Sequence, residues 1–153
     1  MLDSQPTDIK YTSEDVISHH GIAAVIKDKE GEILVQDHVK YGFWTIPVGK
    51  VKDGQNVIDG LKQEILEECG LHVEECKELV VKDYYYMRDG HNVRVTSHLF
   101  EVLKYNGQMK NMEPSKHRRQ IFMSVEKIME LPYVSDLTLL YLHQIGFDRL
   151  ARV

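Results

Sequence analysis

The chain has 153 residues, of which 42% are hydrophobic and 28% charged, and its formal net charge is -5. That length carries one domain with its own apolar core, and the composition excludes a disordered, collagen-like or fibrous chain. The negative charge argues against a protein that grips long nucleic acid, because such binding needs basic surface to neutralise phosphates. A compact phosphorylated ligand stays open, since a divalent cation can supply positive charge locally.

Residues 1–18 read as a polar leader, followed by a single domain over 19–153. The leader has neither a basic start nor an apolar middle, so it does not read as a signal peptide. No stretch approaches the ~20 apolar residues of a membrane span. A cytoplasmic protein with no membrane partner is expected. Cys69 and Cys76 read as free thiols; with His72 they offer only three zinc ligands at one helix end.

In chain order, residues 21–27 (GIAAVIK) form an apolar, β-branched run expected to be a buried strand. Residues 28–31 supply a turn, and 32–36 (EILVQ) the second strand of a hairpin. Residues 41–47 predict a short strand that Pro47 ends. Residues 48–56 read as a glycine- and lysine-rich loop. Asn56 can cap a helix over 57–69, where Ile58, Leu61, Ile65 and Cys69 make an apolar stripe; Gly70 follows as a left-handed cap. Residues 79–87 and 94–101 predict a hairpin turning near Asp89 and Gly90. Residues 106–116 read as loop, 120–123 as a short strand, and Ser124 as the cap of a short helix that stops near Pro132. A last amphipathic helix over 136–145 rests on Leu137, Leu140, Tyr141 and Ile145. This order predicts an α+β protein, a mixed α/β/α sandwich with a mixed β-sheet between helices. It does not fit a doubly wound parallel sheet.

The helix over 57–69 carries the chemistry. Glu64, Glu67 and Glu68 stand at i, i+3 and i+4, on one face, bordering the apolar stripe. Like charges at this spacing repel, and they sit near the helix C-terminus, where the macrodipole disfavours them. A hard divalent cation such as Mg²⁺ would reverse both penalties. A glutamate-rich face turned to water is the plain alternative. Tyr84 and Tyr86 share one face of a strand and are candidates to stack on a substrate ring, with packing as the other reading; Trp44 is expected in the core.

The segment 49–71 resembles the Nudix box, G-x5-E-x7-R-E-U-x-E-E-x-G-U, where U is a bulky apolar residue. Gly49, Glu64, Ile65, Glu67, Glu68, Gly70 and Leu71 match at the required spacing. The approach from Trp44 to Val51 is similar to the family's W-x-x-P-G-G-K-V, with Val48 in place of one glycine. Gln55 and Gln63 replace the box's first glutamate and its arginine. The family's pair braces the loop against the helix. Two neutral amides can still hydrogen-bond each other, so Gln55 and Gln63 are expected to form a substituted structural brace.

The resemblance implies a Nudix fold and Mg²⁺-dependent hydrolysis of a phosphoanhydride bond by metal-activated water, with Mn²⁺ as a substitute metal. The substrate implied is nucleotide-like, foremost a nucleoside triphosphate, with nucleotide sugars or dinucleotides second. A non-catalytic Nudix-fold ligand sensor is the alternative from another class. The implied metal set is Gly49 (through its carbonyl), Glu64, Glu67 and Glu68. Glu64, Glu67, Glu68 and Glu113 are the implied catalytic residues, Glu113 because its E-P-x-K segment is similar to one in triphosphate-cleaving members, with a solvated loop acid as its other reading. Lys50, which follows Gly49, is expected to meet phosphate; Lys116, Arg118 and Arg119 rank below it. The partners expected are a small nucleotide-like substrate and, as one option, a second copy of the chain.

Overall fold

The computed structural model describes residues 10–11 and 16–147. Eight strands and three helices are named in chain order: β1 Lys10–Tyr11, β2 Val16–Val25, β3 Ile33–His38, β4 Trp44–Thr45, β5 Val48–Lys50, α1 Val57–Cys69, β6 His72–Arg88, β7 His91–Asn106, β8 His117–Met123, α2 Val125–Glu130 and α3 Asp136–Gln144. One sheet runs β1-β2-β7-β6, with β5 also on β2; a second runs β4-β3-β8. The β2–β7 pair is parallel over ten residues, whereas β6–β7 and β3–β8 are antiparallel. This is the mixed sheet expected from the sequence.

Alternation along β2 explains the layering. Ile22, Ala24 and Ile26 pack with Leu61, Ile65 and Cys69 of α1. Ala23 and Val25 pack with Ile128, Met129, Tyr141 and Leu142 of α2 and α3. Successive strand residues point to opposite faces, so a continuous apolar strand covered on both sides is the sequence of a middle layer. The result is the α/β/α sandwich.

α1 forms where its signals stand. The Asn56 side chain accepts from the Ile58 and Asp59 amides, and Gly70, at φ 68°, closes the other end onto the Leu66 carbonyl. α2 and α3 are capped by Ser124 and Ser135. The long β6–β7 hairpin turns at Asp89 (φ 49°) and Gly90 (φ 78°), the paired positive φ angles of a two-residue turn. It is longer at both ends than the apolar pattern suggests.

The structure departs from the sequence expectations in four places. β2 begins at Val16, inside the segment read as a leader. The hairpin of residues 21–36 opens after a short start: Leu34 donates to the Ile26 carbonyl, then β3 leaves for the second sheet. Residues 48–50, read as loop, form β5 against Ala23, Ile22 and Gly21. Ile58 is 42% exposed and lies off the apolar stripe of α1, where Glu68 is buried instead, and Ile145 is exposed at the end of α3. Glu68 is seven residues beyond Leu61 and three beyond Ile65, hence on their face.

Candidate functional site

Glu68 is 6% exposed. Two glutamines from the second sheet hold it. Gln36 Nε2 donates to Glu68 Oε1 at 2.9 Å and to Gln120 Oε1 at 3.3 Å; Gln120 Nε2 donates to the Glu68 carbonyl at 3.1 Å. One turn earlier, Glu64 shares a side-chain hydrogen bond with Glu68. Burial pushes Glu68 up to about 9; the Gln36 amide opposes this and Glu64 adds to it. Burial also raises Glu64, and the charges of Glu67 and Glu113 add to the rise. Two carboxyls in contact, one of them buried, disfavour each other's charge, so both are held above the ordinary carboxylate range.

Gly49 of β5 faces this pair. A Cβ built there would lie 2.5 Å from Glu64 Cγ and 2.7 Å from its Oε2. Glycine at this position leaves the room that the Glu64 side chain occupies, and its backbone forms the wall of the site.

Glu67 lies on the other flank. Its Oε2 accepts from Gln63 Nε2 at 3.0 Å; Gln63 Oε1 accepts from Gln55 Nε2 at 2.6 Å; Gln55 Oε1 accepts from the Lys52 amide at 3.1 Å. The two glutamines therefore meet, and the chain of amides ties the 52–55 loop to α1 and ends on Glu67.

Among the described residues, no group of three or more His, Cys, Asp and Glu side chains is set to hold a metal. The carboxylates that converge are two, Glu64 and Glu68. Their chemistry fits a hard cation: only oxygen donors, two carboxyls whose crowded negative charge a cation would relieve, and a glycine wall that leaves room. Glu67 is exposed and engaged with Gln63, so it stands outside this pair.

The pair opens into a cleft of about 640 Å³ where the two sheets part. Lys40, Lys50 and Lys116 reach it from three different segments. Glu113 stands just behind, its Oε2 3.3 Å from Lys116 Nζ and its charge felt by both carboxyls. The Met112 amide donates to the Glu68 carbonyl at 3.1 Å, which holds this loop on the end of α1. Arg118 and Arg119 lie near Asp37, at 3.7 and 3.9 Å, and Arg119 stacks on Trp44.

Tyr84 and Tyr86 are not part of the cleft. Tyr84 lines a separate groove beside α3 with Asp136 and Leu140, and Tyr86 lies under Arg88, 5.7 Å from its ring. Their strand, β6, is the outer strand of its sheet, with β7 between it and β2. Gln36, Gln120, His38, His117 and Tyr41 escape sequence reasoning. The available signal was polar side chains at the ends of apolar strands, as in ILVQDH and HRRQIFM.

The molecule is thus a three-layer α+β protein whose acidic helix backs a glycine-walled cleft. The family profile described as NUDIX domain matches residues 18–141, and the chain belongs to that family. It is similar to a MutT NUDIX hydrolase from Burkholderia pseudomallei, with a TM-score of 0.70 and 25% identity over 84% of this chain and 98% of that one. It is 33% identical over 90 residues to Nudix hydrolase 6 of Arabidopsis thaliana, covering 54% of this chain and 32% of that protein. It is 32% identical over 56 residues to the human 8-oxo-dGDP phosphatase NUDT18, covering 35% and 17% respectively. The matches thus span no more than 32% of the length of these curated relatives.

Proposed function

We propose that the protein is a divalent-metal-dependent pyrophosphohydrolase that cuts a phosphoanhydride bond in a nucleotide, foremost a nucleoside triphosphate. The observation that carries this reading is the Glu64–Glu68 pair, packed against the bare backbone of Gly49 and held in place by Gln36 and Gln120. Family membership and the likeness to a MutT hydrolase support it. The name of the human relative adds nucleoside diphosphates as a second substrate class to test.

Glu64, Glu68 and the Gly49 carbonyl would hold Mg²⁺, with Glu67 contributing through water. When bound, such an ion neutralises phosphate oxygens and lowers the pKa of a water. The residues of the chain set up the rest. Gln36 and Gln120 fix Glu68, so its carboxylate meets the ion without losing side-chain freedom at that moment. Lys50 and Lys116 bring positive charge to the phosphate side of the cleft. Glu113, held beside Lys116, is the candidate general base.

The test is a panel of nucleoside tri- and diphosphates, a dinucleotide and a nucleotide sugar, each with Mg²⁺ or Mn²⁺, with phosphate and pyrophosphate release measured. Turnover that stops in EDTA and in Glu68→Gln is the expected result. Binding of nucleotide with no turnover of any panel member would replace this reading with that of a non-catalytic sensor, the alternative that Val48, Gln55 and Gln63 favour.

A further inference from the structure

A row of side chains leads away from the carboxylate pair. Gln36 of β3 is paired in register with Gln120 of β8, and two residues further along β3, His38 is paired with His117. A register shift between these pairs leaves Arg118 extra on β8. Such a bulge re-aims the next side chain, and here it brings His117 beside His38, ring centroids 5.5 Å apart. The two pairs stand one pleat repeat, about 7 Å, apart on the same face of β3. Beyond them the chain turns through a short loop. His38 N donates to the Phe43 carbonyl, and Gly42, at φ 67°, donates back to the His38 carbonyl. The turn sets the Tyr41 ring on His38 at 4.4 Å and 32°, and near Phe43 at 5.3 Å and 33°. Tyr41 is nonetheless 50% exposed, and it lines the cleft together with His38 and His117.

We propose that Tyr41, backed by His38 and Phe43, is the seat for the flat ring of a heteroaromatic base, and that His117 and His38 read that base's polar edge. This rests on the proposed function, and it names the substrate as a base-bearing nucleotide in preference to a base-free polyphosphate or sugar phosphate.

Four further observations support the assignment. An exposed tyrosine fixed by two other rings is a rigid stacking surface, which loses little freedom on binding. His117 is 3% exposed, and its Nδ1 and that of His38 are buried without a hydrogen-bond partner. Buried polar nitrogens at the wall of a cleft call for a partner from a ligand or from water. Both imidazoles are also lowered, first by burial; Lys116 and Lys40 add to this at His38, and His38 and Lys116 add to it at His117, where Glu113 opposes them, so the neutral form is favoured. A neutral imidazole offers one donor and one acceptor, which suits a base edge; the phosphates are left to the lysines and the cation. Along the cleft wall the carboxylates, the histidines and Tyr41 follow the order of a nucleotide from anhydride to base, with the glutamines buried behind them.

The experiment separates this from hydrolysis. Nucleoside 5′-monophosphates carry no anhydride, so AMP, GMP, CMP and UMP can be titrated against ribose 5-phosphate by NMR. At least one nucleotide is expected to bind roughly tenfold or more tighter than ribose 5-phosphate, the scale of one base–aromatic stack. Tyr41→Ala should erase that margin and Tyr41→Phe should keep it. Tyr41 is half exposed, so the variants should fold; thermal melts check this. Equal binding of nucleotides and ribose 5-phosphate by the native protein would overturn the proposal, as would a margin that survives Tyr41→Ala. In a parallel assay with Mg²⁺, Tyr41→Ala should raise KM for nucleoside triphosphates and leave tripolyphosphate unchanged. If no phosphoanhydride is cut while the Tyr41-dependent margin persists, the hydrolase reading fails and the base seat stands. If tripolyphosphate and nucleotides are cut alike and Tyr41→Ala changes neither, the reverse holds.

Discussion

Glu67 and Glu68 are consecutive residues near the end of one helix, yet the fold treats them in opposite ways. Glu68 turns inward among Leu61, Ile65 and Cys69, where two glutamines hold it and burial keeps a proton on it. Glu67 turns outward and closes a chain of amides running from Lys52 through Gln55 and Gln63. The difference is a rotation of about 100° on the helix wheel. It teaches that a run of acidic residues need not share one environment: the inner flank is buried beside the cleft, and the outer flank ties a loop to the helix.

The largest effect should separate the flanks by activity. Glu68→Gln is expected to lower kcat/KM by more than about 100-fold, because it removes a direct ligand, and supporting residues already cost 10–100-fold. Glu67→Gln should cost no more than about tenfold. Equal losses from the two substitutions, measured on the best substrate of the panel, would collapse the comparison. Next in size is Gly49→Ala. The added methyl must push aside the end of the Glu64 side chain, which is flexible, so the protein should fold with a melting loss of no more than about 2–4 °C. The displaced carboxylate should cost about 10–100-fold in rate and raise the Mg²⁺ needed for half activity.

A third test concerns stability and reverses the usual sign. In EDTA, Glu68→Gln should melt at the same temperature as the native protein or some 2–4 °C higher, equivalent to about 1 kcal/mol. The amide keeps the hydrogen bond to Gln36 and can donate to Glu64, as the protonated acid does, and it cannot ionise in the core. Adding Mg²⁺ should stabilise the native protein and not the variant, since only a state that binds the ion is stabilised by it. A variant that melts well below the metal-free native protein would mean that the buried carboxylate is part of the scaffold and not a cation seat.

How much of this could be read in advance varies with the range of the cause. α1, its caps and the Asp89–Gly90 turn are set by residues within a few positions of one another, and they stand where the pattern puts them. β5 was hidden because Gly49 and Lys50 have no strand preference of their own; pairing with β2 and the contact with Glu64 make it a strand. The carboxylates were legible as a helical triplet, but the inward turn of Glu68 required counting it against Leu61 seven residues earlier. Gln36, Gln120, His38 and His117 come together only through the β3–β8 register, across more than 75 residues of chain. No local pattern encodes that. Tyr84 and Tyr86 lie away from the cleft, since β6 is separated from β2 by β7, a placement that strand order and not local sequence decides.

The smallest effect tests the outer flank. Gln55 Nε2 and Gln63 Oε1 are 2.6 Å apart and half-buried, so Gln55→Ala or Gln63→Ala should each cost about 1 kcal/mol in urea unfolding. The double alanine variant should cost less than the sum, because the two residues share one hydrogen bond. Gln55→Glu alone should be worse than either, since it puts an unpaired carboxylate beside a chain that already ends on Glu67. Gln55→Glu with Gln63→Arg restores a charge pair and should return stability to near the native value. Activity should follow stability in this series and change severalfold at most, because neither Gln55 nor Gln63 lines the cleft. A brace variant that folded normally and lost activity as completely as Glu68→Gln would show that the two sides of α1 work as one site after all.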